Sequence, residues 1–283
     1  MDTFVEYAVT GPYARLTLNS PHNRNALSTT LVRQLHQGLR DAAADPAVRV
    51  VVLGHTGGTF CAGADLSEAG SGNPRDDREG GAAGRSGSPP SAYDMAAARA
   101  QEMTAVLRAI VSSPLPVIAA VDGHVRAGGF GLVGACDIAV AGPRSTFALT
   151  EARIGVAPSI ISLTLLPKLS PRAAARYYLT GETFDAAVAA EIGLVTIAAD
   201  DVDVAVAELV ADIGRGSPRG LAASKALTTA AVLEGFDRDA QRLTEESARL
   251  FVSDEAREGM LAFLHKRRPS WAPPTAADDA DRN

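Results

Sequence analysis

Phe60-Cys61-Ala62-Gly63-Ala64-Asp65-Leu66 and Ala127-Gly128-Gly129-Phe130-Gly131 are the two stretches on which the reading turns. Each follows an apolar strand-like run, Arg49 to Gly54 before the first and Val117 to Val121 before the second, and Glu151 comes soon after. A glycine-bearing strand exit presents backbone N–H groups without a Cβ in the way. The pair therefore reads as two amide donors for a developing oxyanion, with Glu151 as the base. Either stretch alone reads as an ordinary tight turn. Together with the carboxylate they imply an activated acyl group, held while a proton moves beside it.

Outward from these stretches the chain alternates strands and helices. Val5 to Val9 and Ala14 to Leu18 alternate apolar and polar residues around Thr10-Gly11-Pro12, which predicts a hairpin. Leu31, Leu35 and Leu39 recur at helical spacing up to Ala44, and Arg49 to Gly54 is a buried strand. The order repeats with a helix around Tyr93 to Val111, a turn at Ser113 to Pro116 and the strand Val117 to Val121. Asp137 to Ala141 and Ser145 to Leu149 add strands, helices follow from about Ile160, and the whole is α/β. Residues 69–91 are rich in Gly, Ser, Pro, Arg and Asp and predict a mobile loop, either a surface insertion or a lid. Strand signals stop at Val202, and amphipathic stretches such as Arg238 to Val252 and Ala256 to Leu264 follow. The division expected is a core over 1–201 carrying the site, a helical module over 202–268 and a disordered tail over 269–283.

With 283 residues, 46% of them apolar, the chain is long enough to bury a large core. A formal net charge of -6 argues against a general nucleic-acid binder and favours small-molecule chemistry. Two cysteines, Cys61 and Cys136, read as reduced thiols. The N-terminus shows no secretory pattern and no run approaches a membrane span, so a cytoplasmic protein without membrane partners is expected. No His, Cys and carboxylate cluster has ligand spacing, and neither a metal nor an organic cofactor is expected.

Gly129-Phe130-Gly131-Leu132-Val133-Gly134 also satisfies a dinucleotide-binding pattern. Its context is wrong: Asp122 to Arg126 separates it from its strand, and no crossover helix fits before Ile138. The same glycines fit better as the start of a helix whose free N–H groups face a ligand oxygen.

Phe60 to Leu66, Val117 to Gly123, Gly128-Gly129, Cys136-Asp137, Phe147 to Gly155 and Glu258 to Arg267, in this order and spacing, resemble the enoyl-CoA hydratase/isomerase, or crotonase, superfamily over nearly the whole chain. The resemblance implies a crotonase-like spiral of ββα repeats, a C-terminal helical module that trimerises it, and often a dimer of trimers. It implies an acyl-CoA substrate, with coenzyme A part of that substrate. Carried over, the oxyanion-hole amides fall on Ala64 and Gly128. The groove for coenzyme A falls near Ala26, Ala62, Asp65 and Leu66, with Phe263 and Lys266 helping to hold it.

Of the two glutamates typical of the family's hydratases, the second falls on Glu151 and the first on Gly131, so one carboxylate is missing. Three outcomes stay open: hydration with Glu151 as the single acid/base, isomerisation of the double bond, or acyl-CoA binding without turnover. His124 reads as a hydrogen-bonded loop histidine or an assisting group. Arg126 reads as a surface cation or as the partner of a distal carboxylate in a diacid thioester. The form of the segment through Ala157 to Ser162 resembles relatives acting on branched glutaconyl-type esters.

Overall fold

The computed structural model describes residues 2–65, 68 and 90–273. Most of the loop expected over 69–91 and the tail from 274 onward lie outside the described residues.

The chain opens with β1 (Val5–Thr10) and β2 (Tyr13–Leu18), paired antiparallel. Helix α1 (Thr29–Ala44) starts at Ser28, whose Oγ accepts the Leu31 N–H at 3.2 Å. Next come β3 (Val50–His55), β4 (Thr59–Cys61) and α2 (Ala92–Ser112), which opens on a reciprocal capping box between Ser91 and Asp94. The middle of the chain holds β5 (Val117–Val121), β6 (His124–Arg126), α3 (Gly128–Ala135), β7 (Ile138–Ala141), β8 (Thr146–Ala148) and a 3-10 turn, Glu151–Ile154. The remainder is α4 (Ser162–Leu165), α5 (Pro171–Thr180), β9 (Phe184–Asp185), α6 (Ala186–Glu191), β10 (Ile197–Ala198), α7 (Val202–Gly214), α8 (Pro218–Phe251) and α9 (Asp254–Leu264).

Two sheets result, one ordered β1-β2-β3-β5-β7-β10 and the other β4-β6-β8-β9. β3, β5 and β7 pair in parallel, and each leads into a short strand of the second sheet, β4, β6 or β8, which are parallel in turn. Helical segments then return the chain to the next long strand. This repetition decides where the site lies. Ala64, Gly128 and Glu151 come two or three residues after the ends of β4, β6 and β8, so they gather at the carboxyl edge of three neighbouring parallel strands. Ligands of parallel α/β sheets bind at such edges.

The unbroken apolar runs of β3 and β5 follow from burial on both faces. Val51, Leu53, Val117, Ala119 and Val121 join the main core, while Val50, Val52, Ile118 and Ala120 pack with Val140 against Val206 and Val210 of α7. Thus α7, which opens the expected helical module, lies on the sheet. The amphipathic stretch Arg238 to Val252 is the second half of the longer α8, which buries Phe236 in the main core and packs along α2.

Lys225 pins α8 to this core. Its Nζ meets Asp137 Oδ2 at 2.7 Å and donates to the carbonyls of Ile110 at 2.8 Å and Leu115 at 3.0 Å. The same Asp137 oxygen accepts the Val117 N–H at 2.7 Å. Burial pulls the Lys225 ammonium below its usual range, and Asp137 opposes that shift. The aspartate of the Cys136-Asp137 motif is therefore a tie between strand and helix. Both cysteines are free and buried, and burial pushes their thiols up to about 12. Among the described residues no helix is long and apolar enough to cross a membrane.

Candidate active site

The loop before α1 builds one wall. Arg24 and Asn25 both have left-handed backbone, with φ of 59° and 54°. Asn25 is fully buried and holds the loop through three bonds: its Oδ1 accepts the Ser20 N–H, and its Nδ2 donates to the carbonyls of Thr56 and Thr59. Leu27 then forms an isolated parallel bridge with Ala64. The bridge uses the Leu27 N–H to the Gly63 carbonyl at 2.7 Å and the Asp65 N–H to the Leu27 carbonyl at 3.5 Å. A parallel bridge of this form leaves the N–H of Ala64 itself pointing away from Leu27.

The start of α3 presents further free N–H groups. Gly128 is its first residue, and the preceding Ala127 supplies no side-chain cap, so the first N–H groups keep no intrahelical partner. Ala127 stands at φ 44° and ψ -119°, a conformation rarely adopted by a residue with a Cβ. Such strain costs about 1–3 kcal/mol and clusters at functional sites. Gly63, at φ 96°, packs on it so closely that a Cβ at Gly63 would fall 2.7 Å from Ala127 Cβ. The two strand exits are thereby pressed together. At Gly128 the close neighbour is a side chain of the cavity wall: a Cβ there would stand 2.6 Å from Leu27 Cδ1.

Glu151 opens the 3-10 turn after β8 and is only 7% exposed. The turn ends at Gly155, left-handed at φ 77°, and α9 lies directly on it. A Cβ at Gly155 would meet the Glu255 carbonyl at 2.6 Å, and one at Gly259 would meet the Ile154 carbonyl at 2.5 Å. Burial pushes the Glu151 carboxyl up to about 7, against the smaller pull of a backbone hydrogen bond. A carboxyl of that kind exchanges protons at neutral pH. Burial carries the Tyr178 phenol up to about 12, with the Ser162 hydrogen bond opposing the shift and Glu151 adding to it.

These pieces share one cavity of about 480 Å³, lined by Ala64, Gly128 and Glu151. Its remaining wall is mostly apolar, with Leu27, Met103, Ile161, Phe251, Met260 and Leu264 prominent. Charged groups line it too, but they have partners. Asp65 accepts from Asn23 Nδ2 at 3.1 Å, Glu68 accepts from the Thr29 N–H at 3.2 Å, and Glu102 pairs with Arg33 at 2.8 Å. By contrast Glu151 Oε2 and Ser159 Oγ are buried with no hydrogen-bond partner among the described residues. Among those residues no group of three or more His, Cys, Asp or Glu could hold a metal ion.

Of the residues expected from sequence, the cavity brings together Ala64, Gly128, Glu151 and Asp65. Leu66 lies outside the described residues. Ala26 is buried behind Leu27, and the Ala62 N–H is taken by the Arg24 carbonyl at 3.1 Å; neither lines the cavity. Arg126 does not line it either: its Nη1 donates to the carbonyls of Val125 and Thr146, each at 2.7 Å, and its Nη2 to Thr146 Oγ1 at 2.9 Å. His124 lies on strand β6, not in a loop, exposed and bonded to Thr146 Oγ1 at 2.7 Å. Phe263 is 63% exposed and Lys266 is exposed with φ 52°, while their neighbours Leu261 and Leu264 reach the cavity.

The sequence reading missed Leu27, Ser159 and Ile161. For Leu27 a signal was present, the bulky residue after a Ser-x-x-Asn-x-Asn-Ala turn; for the other two only the fold reveals that their segment passes over Glu151.

The position of the missing carboxylate is filled. A Cβ at Gly131 would fall 2.5 Å from Ile161 Cγ2 and 3.2 Å from Leu107 Cδ1. No side chain fits there without displacing Ile161.

The profile of the family described as Enoyl-CoA hydratase/isomerase matches residues 13–277. The mevalonyl-coenzyme A hydratase sidH of Aspergillus fumigatus is 31% identical over 266 residues, covering 91% of this chain and 90% of that protein. Enoyl-CoA hydratase EchA19 of Mycobacterium tuberculosis is 32% identical over 90% of this chain and 91% of its own length. A crystal structure of an enoyl-CoA hydratase from Mycobacterium avium is 73% identical, with a TM-score of 0.84, covering 96% of this chain and all of that one.

Proposed function

Because the chain belongs to the enoyl-CoA hydratase/isomerase family, we propose that it adds water across the double bond of an enoyl-CoA thioester. The observation that carries this is that Ala64, Gly128 and Glu151 line one cavity, with a Glu151 oxygen that has no hydrogen-bond partner among the described residues. The thioester oxygen sits between the two N–H groups. Glu151, ionised, takes a proton from a water whose oxygen bonds to the β-carbon. The π electrons move to the thioester oxygen as an enolate, where each amide donor contributes about 3–4 kcal/mol to the transition state. Glu151 then returns its proton to the α-carbon, and the sum is addition of one water.

The apolar wall supports an uncharged acyl chain. Arg126, on which a diacid substrate rested, is held by Thr146 away from that wall. Shifting the double bond is the second reading, favoured by the filled Gly131 position, since one carboxylate suffices to remove and return a proton. We carry the trimer or dimer of trimers forward in the same way, with exposed Phe263 and Lys266 of the α9 region as residues that meet a neighbouring subunit.

A panel of enoyl-CoA chain lengths in oxygen-18 water, followed by mass spectrometry, tests the reaction. Hydration gives a product heavier by one labelled water. Isomerisation gives no label and an unchanged mass but a product that separates from the substrate by chromatography, whereas binding without turnover returns the substrate itself.

A further inference from the structure

We propose that Ser159 is the second water-holding group of this site, taking the place that the side chain at Gly131 cannot supply. The inference rests on the hydratase reading above. Gly131 and its neighbours leave no route back to a second carboxylate, because Ile161 and Leu107 occupy the space a side chain would enter. Yet a water attacking carbon must be oriented: one O–H toward the base, the other toward an acceptor, and a lone pair toward the β-carbon. Glu151 provides the first acceptor.

Ser159 has the properties required of the other. It is only 6% exposed, it lines the same cavity as Glu151, and its Oγ has no partner among the described residues. A buried hydroxyl left bare costs about 1–3 kcal/mol, so its retention on a cavity wall points to a ligand. Its neighbour shows the alternative. Ser162 Oγ donates to the Pro158 carbonyl at 2.8 Å and meets Tyr178 Oη at 3.2 Å, which makes it part of the scaffold. Ser159 makes no such commitment. The backbone of the segment is fixed by the Val156 N–H to the Glu151 carbonyl at 3.1 Å and the Ser159 N–H to the Ala157 carbonyl at 2.8 Å, so the serine and the base are carried by one short, internally bonded loop. In the step, Ser159 Oγ accepts the water's second O–H while the first proton passes to Glu151 Oε2; no proton leaves the serine.

The test compares Ser159→Ala, Ser159→Thr and Glu151→Gln on the full chain, with hydration of an enoyl-CoA followed by absorbance and product mass. Ser159→Ala should lower kcat roughly 10- to 100-fold with KM nearly unchanged, Ser159→Thr should recover most of it, and thermal stability should hold or rise because no protein hydrogen bond is lost. A kcat for Ser159→Ala within about twofold of the parent, or a loss confined to KM, overturns the inference. If the parent enzyme adds no labelled water, or Glu151→Gln turns over normally, the hydratase reading itself fails, whatever the serine variants do.

Discussion

Asp137 is half-buried beside the buried Lys225, whereas Glu151 is buried with one oxygen that has no partner among the described residues. Asp137 meets an ammonium at 2.7 Å and a backbone N–H at 2.7 Å, and the ammonium meets two carbonyls besides. Glu151 has a backbone hydrogen bond of its own, while its Oε2 and the hydroxyl of Ser159, which lines the same cavity, are buried with no hydrogen-bond partner among the described residues. The first arrangement satisfies every group it buries and holds α8 to the core. The second leaves groups unsatisfied where a substrate and a water are to satisfy them. On the proposed reading, the partnered carboxylate belongs to the scaffold and the unpartnered one to the chemistry.

Glu151→Gln should break the comparison most strongly. Turnover should fall by about a thousandfold or more, with binding of the CoA ester retained, as measured by steady-state kinetics and calorimetry. The same variant should be more stable than the parent at neutral pH. Below the usual glutamate range the carboxyl is protonated in both folded and unfolded chains, and the substitution is neutral. As pH rises the unfolded chain ionises first, so the parent loses stability until the folded carboxyl ionises at about 7. The full difference, on the order of 3 kcal/mol, stands above that pH and is measured by denaturant titration across the range.

Lys225→Met should show the opposite pattern. Removing the cation strands the half-buried Asp137 carboxylate and should cost about 3 kcal/mol of stability, while kcat per folded molecule stays near that of the parent. A large kcat defect there would mean that the scaffold pair also shapes the cavity. Arg126→Ala should have the smallest effect. It loses bonds to Val125 and Thr146, worth about 1 kcal/mol of stability, and kcat/KM for a neutral short-chain enoyl-CoA should change less than about twofold.

The long strands and the first helices were legible because their apolar periodicity is strong. Val117–Val121 is read to the residue, and α1, α2 and β3 are read to within one or two residues. Strand β6 was not legible: three residues, His124-Val125-Arg126, carry no alternation that survives the polar pair. Its pairing comes from β4 and β8 on either side. The unbroken length of α8 was hidden because its first half, from Pro218, is rich in small residues and packs against α2 without a clear stripe.

At the site, Ala64, Gly128 and Glu151 could be read because glycine turns and a carboxylate leave local marks. The absence of a residue at Gly131 could also be read, but its cause could not. That Ile161 occupies the space is a fact of tertiary packing between segments that no periodicity links, and that Ser159 lines the cavity with Glu151 follows from the fold of the loop that carries both. Two long polar side chains lie outside the cavity of the single chain: the Arg126 guanidinium is bonded to the carbonyls of Val125 and Thr146, and Lys266, past the end of α9, is exposed.

The central claim, one buried carboxylate working as the acid/base at neutral pH, is tested most directly by the pH dependence of kcat/KM for hydration, which reports the free enzyme. The profile should rise with unit slope and level off near pH 7, where Glu151 ionises. A break in the ordinary carboxylate range, or a slope of two, would contradict it.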